Sequence, residues 1–212
     1  NNYNSFFQGN PTLEAAEIYN YGLNYQSINI FNFTNIFANL SYSKRKNSIQ
    51  NKTLISGINS VRSADNSNFP RESYSASERI DKRFKNFKAG FNMNFNFSEF
   101  NNIVNGNPLE SINFTQSYRA TIATNFRDKP NLEVGYSYNK RMYDIGDNKN
   151  YFYTDSPFAE IDAYFGNGFV FRAEYSYNYY RNDEQTLNEY RNAEADLSYN
   201  KEGSKWEFGL SV

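Results

Sequence analysis

Between residues 87 and 97 the chain reads Phe-Lys-Ala-Gly-Phe-Asn-Met-Asn-Phe-Asn-Phe, apolar at every odd position and polar or glycine at every even one. Successive side chains on a strand point to opposite faces, so this two-residue period predicts a strand with one apolar and one polar face. The pattern recurs. Ile112, Phe114, Tyr118, Ala120, Ile122 and Phe126 alternate with Asn113, Thr115, Ser117, Arg119, Thr121 and Asn125. Leu132, Val134, Tyr136 and Tyr138 alternate with Glu133, Gly135, Ser137 and Asn139. Phe169, Phe171, Ala173, Tyr175, Tyr177 and Tyr179 do the same against Val170, Arg172, Glu174, Ser176, Asn178 and Tyr180. So do Trp206, Phe208, Leu210 and Val212 against Glu207, Gly209 and Ser211. Weaker versions cover 19–25, 36–42, 74–80, 151–165 and 193–199. On a helix, apolar residues at this spacing would circle the axis and make no single face. About ten strands are predicted.

The breaks between these segments are of two kinds. Residues 28–32, 83–86, 127–131, 166–168 and 201–205 are short; Asp128-Lys129-Pro130-Asn131 and Gly166-Asn167-Gly168 carry turn chemistry. Residues 47–71, 101–110, 144–150 and 182–186 are strongly polar and read as longer loops. Short and long breaks alternate, the arrangement of a membrane barrel with tight turns at one end and loops at the other. A soluble β-sandwich is the rival, but residues 112–126 make a strand well beyond the usual length of about 5 or 6. Phe31, Phe33, Phe84, Phe87, Phe126, Phe165, Phe169, Tyr199 and Trp206 gather near the short turns. Tyr42, Tyr74, Tyr118, Tyr143, Tyr151, Tyr153, Tyr179 and Tyr180 gather toward the loops. Such rings settle at the two water–lipid boundaries. The predicted class is therefore all-β, an antiparallel transmembrane β-barrel in which residues 1–212 are part of a single barrel domain.

The polar register then faces a lumen. Arg119, Glu133, Arg141, Glu160, Asp162, Arg172, Glu174, Glu194, Asp196 and Glu207 all fall on it. An Arg or Lys facing lipid at mid-bilayer costs about 2–4 kcal/mol, whereas a wet interior tolerates it. Lys44, Arg45, Lys46 and Lys52 cluster at the loop end of the second strand, where cations can meet lipopolysaccharide phosphates.

Composition narrows the chemistry. Lys plus Arg number 22 and Asp plus Glu 23, a net charge of -1, which gives no ground for a nucleic-acid partner. The 212 residues include no Cys and no His, so disulfides, thiolate nucleophiles, the common zinc sites and Ser–His pairs are excluded. No enzyme and no cofactor is expected. Mean hydropathy is -0.83, yet aromatic residues reach 19%, too many for a disordered chain.

Gly9-Asn10-Pro11-Thr12-Leu13, leading into the strand at 19–25, resembles the Gly-Asn-Pro-x-Leu element of TonB-dependent receptor barrels. Ala15 and Ala16 stand where that family usually has Pro-Glu. Asn131-Leu132-Glu133-Val134-Gly135-Tyr136, Ser156-Pro157-Phe158 and Ser204-Lys205-Trp206-Glu207 are similar in style to strands of the same outer-membrane family. The resemblance implies a C-terminal portion of a barrel of about 22 strands. It also implies an N-terminal plug, a TonB-contacting segment and a signal peptide outside this sequence. The function it implies is active uptake of a polar solute across a Gram-negative outer membrane, with TonB acting through the plug. The external loops, chiefly 47–71, would contribute to binding. Outer-membrane lipid, lipopolysaccharide and a surface lipoprotein are the partners expected. The alternative is an outer-membrane scaffold or secretion-associated barrel without TonB-driven transport.

Overall fold

The computed structural model describes residues 4–56, 59–127, 129–146, 148–166, 168–200 and 207–212. These residues form β1 (Asn4–Gln8), β2 (Glu17–Asn29), β3 (Thr34–Lys46), β4 (Ile49–Ser56), β5 (Asn59–Asn66), β6 (Arg71–Phe84) and β7 (Phe87–Val104). They continue with β8 (Asn107–Thr124), β9 (Asn131–Ile145), β10 (Asn148–Phe165), β11 (Phe169–Asn182), β12 (Thr186–Asn200) and β13 (Glu207–Ser211). The protein is all-β. No helix among the described residues is long and apolar enough to cross a membrane, which says nothing of crossing by strands.

Ten strands make one antiparallel sheet in the order β2-β3-β6-β7-β8-β9-β10-β11-β12-β13. Strands β2 and β13 are its two edges, and the sheet does not close on itself among the described residues. Every pair of strands in contact is a hydrogen-bonded pair, so the described residues form a single layer with no second sheet packed on it.

Two of the other three strands stand where a loop is expected. Within residues 47–71, β4 and β5 pair as a hairpin, and β1 adds to β5 in parallel. Strand β4 also meets the far end of β7, pairing Lys52 with Ile103 and Thr53 with Val104. Polar side chains occupy most of both hairpin faces, which hid its period. Two further expected loops are shorter than expected. Residues 101–110 are strand on both sides of a two-residue turn at Asn105-Gly106, whose φ values of 50° and 83° suit the Asn-Gly sequence. Strand likewise runs up to Ile145 and resumes at Asn148, whereas the break expected at 182–186 is present between Asn182 and Thr186. The end of the sheet that carries 105–106 and the β4–β5 hairpin is the hairpin end; the opposite one is the turn end. Asp128, Asn167 and residues 201–206, including Ser204, Lys205 and Trp206, lie outside the described residues.

The register holds the apolar rows together. Tyr21 pairs with Tyr42, Tyr42 with Tyr74, Tyr74 with Phe97 and Phe97 with Phe114. Nearer the turn end, Ile36 meets Ile80, Ile80 meets Phe91, Phe91 meets Ala120 and Ala120 meets Tyr136. The same face continues through Val134–Ala159, Ala159–Tyr175, Tyr175–Ala193 and Leu197–Leu210. Glu78, set between Ala76 and Ile80 and opposite Ala38 and Met93, breaks this face.

Burial is inverted relative to a water-soluble fold. Leu23 is 65% exposed, Ile122 59% and Leu40 53%, while Ser48, Ser60, Ser67 and Ser111 are buried. In β9, Leu132, Val134 and Tyr136 are exposed, whereas Glu133, Gly135 and Ser137 between them are half-buried. The chain exposes 15098 Å². A folded monomer of 24.8 kDa exposes only about 10,000 Å².

The one buried apolar side chain among the described residues, Phe158, belongs to the polar face. Its ring lies over Gly135 on the neighbouring strand, a cross-strand cover for a glycine that has no side chain of its own to pack. A Cβ at Gly135 would run into that ring and stand 2.9 Å from the Ala120 carbonyl. The Arg119 guanidinium closes the stack, 4.0 Å from the ring centroid. Gly135→Val is therefore expected to lose about 1–3 kcal/mol by overpacking. Adding Phe158→Ala should cost much less than it does alone, because the two residues share one space. Urea unfolding of the four proteins in detergent micelles measures this, and strictly additive losses would dismiss the contact.

Candidate functional site

The polar face divides into zones along the strands. Toward the hairpin end its middle stretch holds hydroxyls and amides bonded strand to strand. Ser41 and Ser75 are 2.6 Å apart, Asn139 donates to Ser117 at 2.6 Å, and Ser156 donates to Asn178 at 2.7 Å. Such bonds between neighbours hold the polar side chains flat against the wall.

A charged belt follows near the turn end. Antiparallel register sets Glu133 opposite Glu160, Glu160 opposite Glu174 and Glu174 opposite Glu194, one carboxylate on each of four consecutive strands. Like charges directly opposite destabilise a sheet. Relief comes from the adjoining row, where Arg172 pairs in register with both Asp162 and Asp196. Its Nε stands 2.8 Å from Asp162 and 3.6 Å from Glu160. Arg119 lies 3.9 Å from Glu133 at the other end of the row. The belt extends onto β6–β8 with a different balance: Arg79, Arg83, Lys88 and Arg119 there face a single acid, Asp81, which holds Arg79 at 2.6 Å. Among the described residues no group of three or more acidic side chains converges so as to hold a metal ion. The carboxylates are spread along a row rather than gathered round a point.

Of the charged residues predicted from sequence to share the polar register, Arg119, Glu133, Glu160, Asp162, Arg172, Glu174, Glu194 and Asp196 stand together in this belt. Arg141 is on the same face but apart, toward the hairpin end, where it donates to Asn139 at 3.1 Å. Glu207 pairs through its backbone with Asn200; its side chain lies outside the described residues.

The four cations expected near lipid phosphates are not brought together. Lys44 and Lys46 lie on the apolar face, Arg45 on the polar face, and Lys52 in the β4–β5 hairpin. Lys44 is already ion-paired with Glu72 at 2.7 Å, and Lys46 sits over the Tyr19 ring.

A third zone was missed in the sequence. Tyr143 and Tyr180 were grouped with the interfacial rings, yet both fall on the polar face. With Phe152 they form a strip across β9–β11 near the hairpin end. Tyr143–Phe152 and Phe152–Tyr180 centroids are both 5.9 Å apart, the second pair stacked within 10°. The signal was available: Phe152 is out of register between Tyr151 and Tyr153, which share the apolar face. The Tyr143 ring meets Phe152 edge-on at 68°, so the parallel Phe152–Tyr180 pair is the part that offers a face for stacking to a ring or a guanidinium.

The Gly9–Leu13 element is part of the hairpin end. The Asn10 side chain accepts from the Thr12 N–H at 3.0 Å and the Thr12 hydroxyl at 2.7 Å, which sets the turn into β2. Asn66 of β5 then clamps Glu14 through both backbone groups, at 2.8 and 2.9 Å. Comparison with protein-family models, curated proteins and solved structures gives no match for this chain.

Arg172→Gln removes the cation shared by Glu160 and Asp162 and is expected to lower stability, read as a fall in the thermal midpoint, by about 1 kcal/mol at most for so exposed a pair. Adding Glu160→Gln should restore part of the loss, and 1 M salt should shrink it. A loss indifferent to both would place the role of Arg172 in packing rather than charge.

Proposed function

We propose that the ten-strand sheet is part of the wall of an outer-membrane β-barrel, with its apolar face against acyl chains and its polar face toward water. The observation that carries this reading is the single-layer sheet with one wide, exposed apolar face, interrupted at Glu78. In water that face would demand a partner; hydrocarbon supplies one along its whole width. The dimensions agree. From Phe87 to Phe97 is ten steps of strand. That is about 34 Å along the strand and about 24 Å of height at a tilt near 45°, against an apolar band about 25 Å tall. Aromatic rows border it: Tyr21, Tyr42, Tyr74, Phe97 and Phe114 on the hairpin side, and Phe165, Phe169 and Tyr199 on the turn side. Glu78 is tolerable because Asp and Glu cost less than Arg or Lys on a lipid face.

In lipid the two sheet edges, β2 and β13, need hydrogen-bonding partners, because each bare N–H or C=O there costs several kcal/mol. A larger barrel provides them. With the hairpin end outside, strands drawn past the membrane, the β4–β5 hairpin and the aromatic strip make an external surface. The resemblance of Gly9–Leu13 and the later strand openings to TonB-dependent receptors adds the transport half: uptake of a polar solute, driven through TonB by a plug.

The chain lacks native cysteine, so single-cysteine variants are clean reporters. In outer-membrane preparations, Ser117→Cys and Ser137→Cys are expected to react with a water-soluble maleimide. Val134→Cys and Ala159→Cys should resist it and be reached by a lipid-dissolved probe instead. The opposite sidedness would refute the wall. Deleting residues 52–66 tests transport: uptake should fall while heat-modifiable mobility, the mark of an intact barrel, persists. Unimpaired uptake would take the hairpin out of the binding surface.

A further inference from the structure

The belt on the polar face is divided by sign. Strands β6–β8 contribute Arg79, Arg83, Lys88 and Arg119 against Asp81; strands β9–β12 contribute Glu133, Glu160, Asp162, Glu174, Glu194 and Asp196 against Arg172. The two arcs adjoin at Arg119 and Glu133. Internal pairing consumes part of each. Asp81 answers Arg79, Glu133 answers Arg119, and Arg172 answers Glu160 and Asp162, which leaves Arg83 and Lys88 on one arc against Glu174 and Glu194 on the other. The cationic arc borders an open hollow of about 720 Å³, lined by Asn35, Arg79, Arg83, Lys88, Asn92 and Arg119 among others, large enough for several residues of peptide. A row of four carboxylates opposes sheet formation unless positive charge reaches it. A balanced, mixed belt would have satisfied itself; a segregated one is complementary to something that carries both signs, apart.

Resting on the wall reading, we propose that this belt binds and orients a zwitterion with well-separated charges, of which an unblocked short peptide is the simplest, its carboxylate on the β6–β8 arc and its ammonium on the carboxylate row. The spacing sets the length. From β7 to β10 is three strand spacings, about 14 Å, which an extended tetrapeptide of about 14 Å matches. Charge-assisted contacts at both ends give discrimination that neither end gives alone.

Isothermal titration of the full-length protein in detergent with tetraalanine, its N-acetyl form, its C-terminal amide and the doubly blocked peptide tests this at low ionic strength. Tetraalanine is expected to bind about tenfold more tightly than either singly blocked form, and the doubly blocked peptide more weakly still. Glu133→Gln, Glu160→Gln, Glu174→Gln and Glu194→Gln together should abolish the preference for a free amine while keeping that for a free carboxylate. The combined variant relieves repulsion and should fold; heat-modifiable mobility checks that it does. Equal binding of all four peptides, or no binding, overturns the proposal. Equal binding of tetraalanine and its amide reduces the belt to a cation site and overturns it too. These results stand apart from the wall reading: with the maleimide sidedness as expected, they sink the zwitterion alone, whereas reversed sidedness sinks both.

Discussion

Register without slippage is the constraint on which the rest of this structure depends. A strand shifted by one residue presents its whole apolar row to the wrong face. Across nine consecutive antiparallel interfaces the apolar rows stay in phase, from Tyr21 on β2 to Leu210 on β13. Two local disturbances do not break that phase. The ladder between β10 and β11 skips Ser156 and Pro157, where proline has no N–H to give, and resumes in the same register at Phe158. A shift between Tyr180 and Arg181 falls at the hairpin end, beyond the apolar rows. The phase is kept where two faces of different character are at stake and relaxed where they are not.

That phase has an energetic consequence that a globular fold avoids. Nothing among the described residues covers the apolar face, so the usual source of stability, apolar surface removed from water on folding, is small in them. What the strands hold internally is backbone hydrogen bonding, aromatic contacts along the rows and side-chain bonds on the polar face. The rings do more than fill area. Tyr74 leans toward the hairpin end and donates its hydroxyl to Glu72, which also holds Lys44, so the edge of the apolar row is where its hydroxyls find partners. Lys82 over Phe84 repeats the device at the turn end.

Period and composition made the ten-strand sheet legible; they did not make the hairpin end legible, and the reason is physical. A strand announces itself in sequence through the contrast between its faces. Residues 98–104 and 107–113 are paired along their length, yet polar residues stand on both faces, so contrast fades while hydrogen bonding continues. The Asn105-Gly106 turn was readable from its residues alone, but polar flanks disguised it as the middle of a loop. For the site, parity assigned charges to a face correctly one strand at a time. Adjacency could not be read that way: that Glu133, Glu160, Glu174 and Glu194 form one row follows only from where three hairpins place their register. Tyr143 and Tyr180 illustrate the reverse failure, aromatics grouped by type with the interfacial rings although their parity puts them on the other side.

The distribution of charge along the polar face bears on how the proposed wall would work. Uncharged hydroxyls and amides occupy its middle, and the belt lies within a few residues of the short turns. Hydroxyls and amides satisfy one another across strands, as Ser41 with Ser75 and Asn139 with Ser117 do, and offer little field to a passing solute. Charges do the opposite: their field reaches about a Debye length, roughly 8–10 Å, and further where a low-dielectric wall confines it. Set at the hairpin end, the same carboxylates would act on every ion in the surroundings and be screened by salt. In the proposed wall, carboxylates set behind a neutral stretch would act on what has already entered. The neutral zone and the belt are then complementary parts of one surface, and the cross-strand register that aligns the carboxylates is also what makes the belt narrow rather than diffuse.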